Sequence, residues 1–188
     1  MMWTLRSYLS TALLGVLVSL AVGCAMAPST PQVVTAPAGV NLPLTARVAV
    51  QVNPTMPGTQ TVEFRGDTWQ YPDSELMQQA AIRIFREVFT EVGAAGTLSA
   101  PTVTVMLNGS SSVNPVMSEY YANATATVFP GGDTYTQPLG TFSGAGTGSQ
   151  PNFSQGGIAT AYEGAFRQIA NRMLADAALL AKLRARSK

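Results

Sequence analysis

The chain has 188 residues, a formal net charge of +1, 46% hydrophobic residues and only 11% charged ones. It contains no histidine and a single cysteine, Cys24, which excludes an intrachain disulfide, His/Cys zinc or copper sites, and nucleophilic catalysis with an imidazole base. The balanced charge, with no basic run among aromatic residues, also argues against a nucleic-acid partner.

The N-terminus carries Arg6 as its only charged side chain before Cys24, and the next is Arg47. Residues 7–23 are uncharged and mostly apolar, and their densest part, 13–22, has the length of a signal-peptide core. Small residues then lead into Leu20-Ala21-Val22-Gly23-Cys24. This run resembles the lipobox of bacterial lipoproteins, with Ala21 where leucine is commoner. The resemblance implies cleavage between Gly23 and Cys24, acylation of Cys24 (palmitate among the chains) and attachment to a membrane through that lipid. More than one chain is needed, because a single acyl group binds a bilayer only marginally. Ala25 in place of aspartate implies, by the same resemblance, sorting to the outer membrane with the protein facing the periplasm in a Gram-negative cell. In another bacterium it implies a lipid anchor at the cell membrane. Two other readings use the same residues: an uncleaved membrane span over 8–27, about 20 residues long, and a cleaved soluble product.

Without residues 1–23, ten Lys/Arg face ten Asp/Glu, so the mature chain is neutral. Residues 24–45 hold Pro28, Pro31, Pro37 and Pro43 without periodicity and predict a lipidated cysteine followed by a flexible linker. A single domain is expected over 46–188. Residues 47–52 alternate Val48, Val50 and Val52 with Arg47, Ala49 and Gln51, a strand pattern repeated at 61–65. Asn53-Pro54 and Pro57-Gly58 between them predict a hairpin. A helix follows, capped by Asp73 or Ser74, with an apolar face running from Leu76 to Val92 and Gly93 at its end.

Three more strands are expected: around Val103, Val105 and Leu107; over 119–129, with Tyr120, Ala122, Ala124, Ala126 and Val128 on one face; and over 134–142, where Pro138 predicts an edge or a bulge. The alanines leave room for a helix to approach closely. Residues 144–157 read as a mobile Gly/Ser/Gln-rich connector, and 158–183 as a closing helix with a basic end. The order β-β-α-β-β-β-α predicts an α+β fold: a two-layer sandwich of a mostly antiparallel sheet of about five strands, with two helices on one face.

No catalytic constellation, cofactor motif or metal site emerges. Gly144-Ala145-Gly146-Thr147-Gly148 lacks the Lys-Ser/Thr ending of a phosphate loop. Glu87 and Glu91 read as a solvated helix face, and Asp73 and Glu75 as acids favoured at a helix start. Trp69, Tyr71, Tyr120 and Tyr121 are candidates for an aromatic contact with a protein partner, or else caps on the core edge. The leading expectation is a membrane-anchored, non-enzymatic lipoprotein that binds a protein partner in envelope assembly or transport. The alternative is a carrier of lipid or another small ligand in a cavity between sheet and helices. An enzyme using paired carboxylates is the third reading.

Overall fold

The computed structural model describes residues 33–131, 136–150 and 152–186. Gly23, Cys24 and Ala25, with the cleavage, lipidation and sorting inferred from them, lie outside the described residues. The strands are β1 (Leu44–Val52), β2 (Gln60–Phe64), β3 (Asp67–Tyr71), β4 (Phe89–Ala94), β5 (Val103–Asn114), β6 (Glu119–Pro130) and β7 (Gly140–Ser149). Helix α1 (Asp73–Phe85) lies between β3 and β4, and α2 (Gln155–Ala175) and α3 (Ala177–Arg186) close the chain.

The fold is α+β. A five-stranded sheet in the order β4-β1-β5-β6-β7 is covered on one face by helices, and β2 and β3 form a separate two-stranded sheet. Alternation places Val48 and Val50, Val103, Val105 and Leu107, and Ala122, Ala124 and Ala126 towards the helices, all of them buried. The other face is hydroxyl-rich along β6 and β7, with Thr125 and Ser143 bonded at 3.0 Å.

Several expectations are corrected. The runs at 47–52 and 61–65 do not form a hairpin. β1 lies inside the main sheet, parallel to both β4 and β5, while β2 pairs with β3, a strand that includes Trp69 and Tyr71. Parallel and antiparallel neighbours are therefore equal in number in the main sheet. The first helix stops at Phe85 and tightens through Val88 N–H to the Phe85 carbonyl; Phe89, Val92 and Gly93 belong to β4. Apolar residues at 85, 88, 89 and 92 fit a helix face, yet the same side chains fill the core from a turn and a strand. Pro138 precedes β7 rather than lying in it. The closing helix starts at Gln155, capped by Ser154 Oγ on the Gly157 N–H, and breaks at Asp176, whose carboxylate caps α3 through the Leu179 N–H.

Residues 144–149 are not a mobile connector. They form the second half of β7, and their glycines are the seam along which α2 packs. A Cβ on Gly144 would overlap the Ala165 carbonyl oxygen, one on Gly146 the Ala161 carbonyl oxygen, and one on Gly148 the Gly157 carbonyl oxygen. The predicted close approach of a helix over small residues is thus present, carried by glycines of β7 beside the alanines of β6. Nor is the linker free up to Pro43. Val34, Val40 and Leu42 pack against the core, and Asn171 of α2 accepts the Thr35 N–H at 2.8 Å while its amide donates to the Val33 carbonyl.

The fold therefore has two distinct ends. The docked segment 33–43, the starts of β1, β5 and β7, the end of α2 and all of α3 share one end. The turn between β5 and β6 marks the other, roughly 35 Å away along the twelve residues of β5. On both outer strands of the sheet, side chains take up outward main-chain groups. Arg86 Nε donates to the Val92 carbonyl on β4, Gln168 accepts the Ala145 N–H on β7, and Arg172 donates to the Ser143 carbonyl.

Candidate functional site

The most unusual chemistry lies at the end opposite the chain entry. Helix α1 starts without a side-chain cap: Pro72 holds the cap position, and Asp73, expected to cap it, turns into the core and is 1% exposed. There Asp73 Oδ1 accepts the Ser111 hydroxyl at 2.6 Å and the Tyr162 hydroxyl at 2.9 Å. Since Ser111 has one hydroxyl proton and gives it to Asp73, the Tyr71 hydroxyl donates to Ser111 Oγ, 3.0 Å away. Asp73 Oδ2 is buried without a partner. One carboxyl thus ties β3, β5, α1 and α2 together.

Burial pushes the Tyr162 phenol far above its ordinary value of 10, and the adjacent Asp73 adds to the shift. Burial raises Tyr71 as well, partly offset by its bond to Ser111. Both folded values exceed the unfolded one, so the stability they contribute is complete below about pH 10 and lost as pH rises through the folded values. Tyr162→Phe is expected to cost about 1–3 kcal/mol at pH 7 and to flatten the fall in stability above pH 10. Urea unfolding at pH 7 and in a series from pH 9 to 11 measures both effects. An unchanged alkaline slope would show that Tyr162 does not carry the dependence.

An aromatic cluster sits beside this network. The Trp69 ring lies 5.1 Å from Tyr71 and 4.9 Å from Phe153, edge-on to the latter, and Phe64 stands 6.2 Å from Phe153. The Tyr120 hydroxyl donates to the Asn152 carbonyl at 2.8 Å and accepts the Ser154 N–H at 3.0 Å, so it clamps the loop that carries Phe153. Of the four aromatic candidates, Trp69 therefore packs on Phe153, a residue of the expected connector, Tyr71 packs on Trp69, and Tyr120 holds the backbone on either side of Phe153. Tyr71 and Tyr120 are buried, at 2% and 1% exposure; Trp69 is half-buried. Tyr121 points to the helix-free face, 37% exposed, with its hydroxyl on Glu119. Ser111 carries no signal in the sequence, and Asp73 is explained there by capping and the helix dipole rather than by burial.

At the same end, β5 outruns β1. Their ladder ends where Leu107 meets Val52, with the Asn53 N–H on the Leu107 carbonyl at 2.9 Å, and β5 continues to Asn114 paired only with β6. The turn beyond exposes Val116 and Met117, at 79% and 63%.

At the chain-entry end, a groove of about 550 Å³ runs between segment 39–45 and α3, lined by Pro43, Leu44, Leu180, Leu183 and Arg184. The cavity between sheet and helices required by the carrier reading is absent where α2 crosses β7, since even a methyl group does not fit at Gly144, Gly146 or Gly148. Among the described residues no three His, Cys, Asp or Glu side chains gather to hold a metal, and no helix is long and apolar enough to cross a membrane.

No protein-family model matches the chain, and no curated protein matches it. Among solved structures, a Xanthomonas campestris protein of the DUF330 family aligns with a TM-score of 0.46 and 10% identity, over 82% of this chain and 96% of its own. A candidate lipoprotein of Caulobacter crescentus CB15 aligns with a TM-score of 0.32 and 13% identity, over 72% of this chain and 90% of its own. Both likenesses are too low to carry residues of either protein onto this one.

Proposed function

We propose that the chain is a bacterial lipoprotein, cut between Gly23 and Cys24, lipidated on Cys24, and acting as a non-enzymatic binding accessory in envelope assembly or transport. The observation that carries the reading is where the chain enters the domain. Val33 and Thr35 are fastened to Asn171, so only residues 25–32 separate Cys24 from a docked position. Eight residues span at most about 28 Å. A Cys24 held in a bilayer therefore keeps this end of the domain near the lipid surface. The same end carries Lys182, Arg184 and Arg186 on α3, a helix without acidic residues, which suits an anionic surface. The opposite end, with the aromatic cluster and the free part of β5, then faces outward.

The non-enzymatic part rests on the absence of histidine, the commitment of the only cysteine to lipid, and the closure of Asp73 among hydroxyl groups. By the lipobox resemblance, Ala25 in place of aspartate supports an anchor in the outer membrane, facing the periplasm, in a Gram-negative cell. Cys24→Ala is expected to abolish incorporation of a clickable palmitate analogue and to leave the signal uncleaved. Labelling equal to that of the parent chain would refute attachment at Cys24.

A further inference from the structure

We propose that β5 accepts an added strand: an extended segment of a partner protein pairs with its open edge between Asn108 and Asn114. The inference deepens the binding role proposed above and names its mode. Backbone groups alternate sides along a strand. The Leu107 carbonyl points to β1, where Asn53 bonds it, so the N–H and C=O of Gly109, Ser111 and Val113 point the same way. Past Leu107 no strand meets them. β1 has ended at Val52, the chain turns off at Asn53-Pro54, and the β2–β3 hairpin pairs only with itself.

Three observations separate this edge from an accident of strand length. On the outer strands β4 and β7, outward main-chain groups are taken by Arg86, Gln168 and Arg172, whereas no side chain among the described residues bonds the main chain of Gly109, Ser111 or Val113 on the open side. Residues 108–118, NGSSSVNPVMS, carry no charge, and the stretch up to Asn114 has no proline, so the usual guards against strand addition are missing. The edge is also rigid before any partner arrives, because the Ser111 side chain is tied to Asp73 and Tyr71. Preorganisation of this kind reduces the entropy lost on binding.

The chemistry selects the occupant. Donor and acceptor pairs repeating every second residue match the main chain of an extended polypeptide and no lipid or glycan. On the incoming strand, one face meets Val113 on the helix side, and its end reaches exposed Val116 and Met117, so apolar side chains are favoured there. The other face meets Ser110 and Ser112.

The test uses the full chain in its own cells, with a photo-crosslinking residue at Ser110. An adduct that maps to one continuous segment of another protein is expected. Val113→Pro, which removes an N–H on the open side and none bonded to β6, should lower adduct yield about tenfold, the worth of one hydrogen bond. If that variant does not fold, Ser112→Lys places a charge beside the edge on the exposed face and should lower the yield in the same direction. A synthetic peptide of the mapped segment, added to the purified chain at about 100 times its Kd, should slow amide exchange of Gly109, Ser111 and Val113 about 100-fold. In the free protein those three amides should exchange faster than Ser110 and Ser112, which face β6. Equal protection in the free protein, an adduct indifferent to both variants, an adduct only with a second copy of this chain, or no protein adduct would each overturn strand addition. Lipid on Cys24 is measured on the same preparation. A lipidated chain without an adduct defeats this inference alone, and an adduct on an unlipidated chain defeats only the anchoring.

Discussion

Gly146→Ala is expected to destabilise the domain by about 3 kcal/mol or more, roughly 10 °C in Tm for a domain of this size. The added methyl group would overlap the Ala161 carbonyl oxygen and the Ala165 nitrogen, which are main-chain atoms of α2. A flexible side chain can move aside, but a helical backbone yields only by lifting the helix from the sheet, and α2 covers both β6 and β7. Ile158, Ala161, Tyr162, Ala165 and Ile169, all fully buried, would lose contact together. Gly58→Ala is the control: the nearest atom to its new methyl is Ser74 Oγ at 3.8 Å, so it should change stability by less than about 0.5 kcal/mol. Thermal unfolding of the two variants decides the matter. Equal Tm values would mean that α2 does not pack on β7 through this seam.

Asp73→Ala is expected to cost about 3 kcal/mol, because it strands the Tyr162 hydroxyl inside the core and leaves Ser111 without its acceptor. Asp73→Asn keeps an oxygen for both donors and puts an amide where Oδ2 already lacks a partner, so it should cost less than the alanine variant. Urea unfolding gives both values. A double-mutant cycle with Tyr162→Phe should return a coupling of about 1–2 kcal/mol. Additive effects would contradict the shared hydrogen bond. Loss of the carboxyl should also loosen the upper half of β5, since Ser111 is one of the residues fastening that strand to the hairpin and α1.

Much of the fold was legible from alternation and helical spacing. The valines of β1, the alanine face of β6, and the apolar stripes of α1 and α2 fill the core as their periods predict. The class follows from them. Pairing was less legible, because turn residues between two strand-like runs signal a nearby hairpin, and nothing local announces that β1 instead enters the sheet between β4 and β5 with parallel neighbours on both sides. The strand β4 was hidden because Phe85, Val88, Phe89 and Val92 satisfy helical spacing and core burial equally well. The most instructive misreading concerns Gly144, Gly146 and Gly148. Glycines every second residue suggested a loose connector, yet a period of two is also a strand face stripped of side chains, and here a helix occupies that face.

The candidate site was legible in its aromatic residues and not in its polar ones. Trp69 packs between Tyr71 and Phe153, and Tyr120 bonds the backbone flanking Phe153, whereas Tyr121 faces away because adjacent strand residues point to opposite sides of the sheet. Asp73 and Ser111 are 38 positions apart, and only the tertiary fold joins them. The open edge of β5 was equally invisible, since it arises from one strand outlasting its neighbour.

The central claim is that the domain works on a tether at Cys24, and mass spectrometry of the N-terminal peptide from chains purified out of native membranes tests it most directly. The predicted result is a mature chain beginning at Cys24, its sulfur carrying a diacylglyceryl group and its amino group a further acyl chain. A chain that begins at Met1, or one whose Cys24 is an unmodified thiol, would contradict the account.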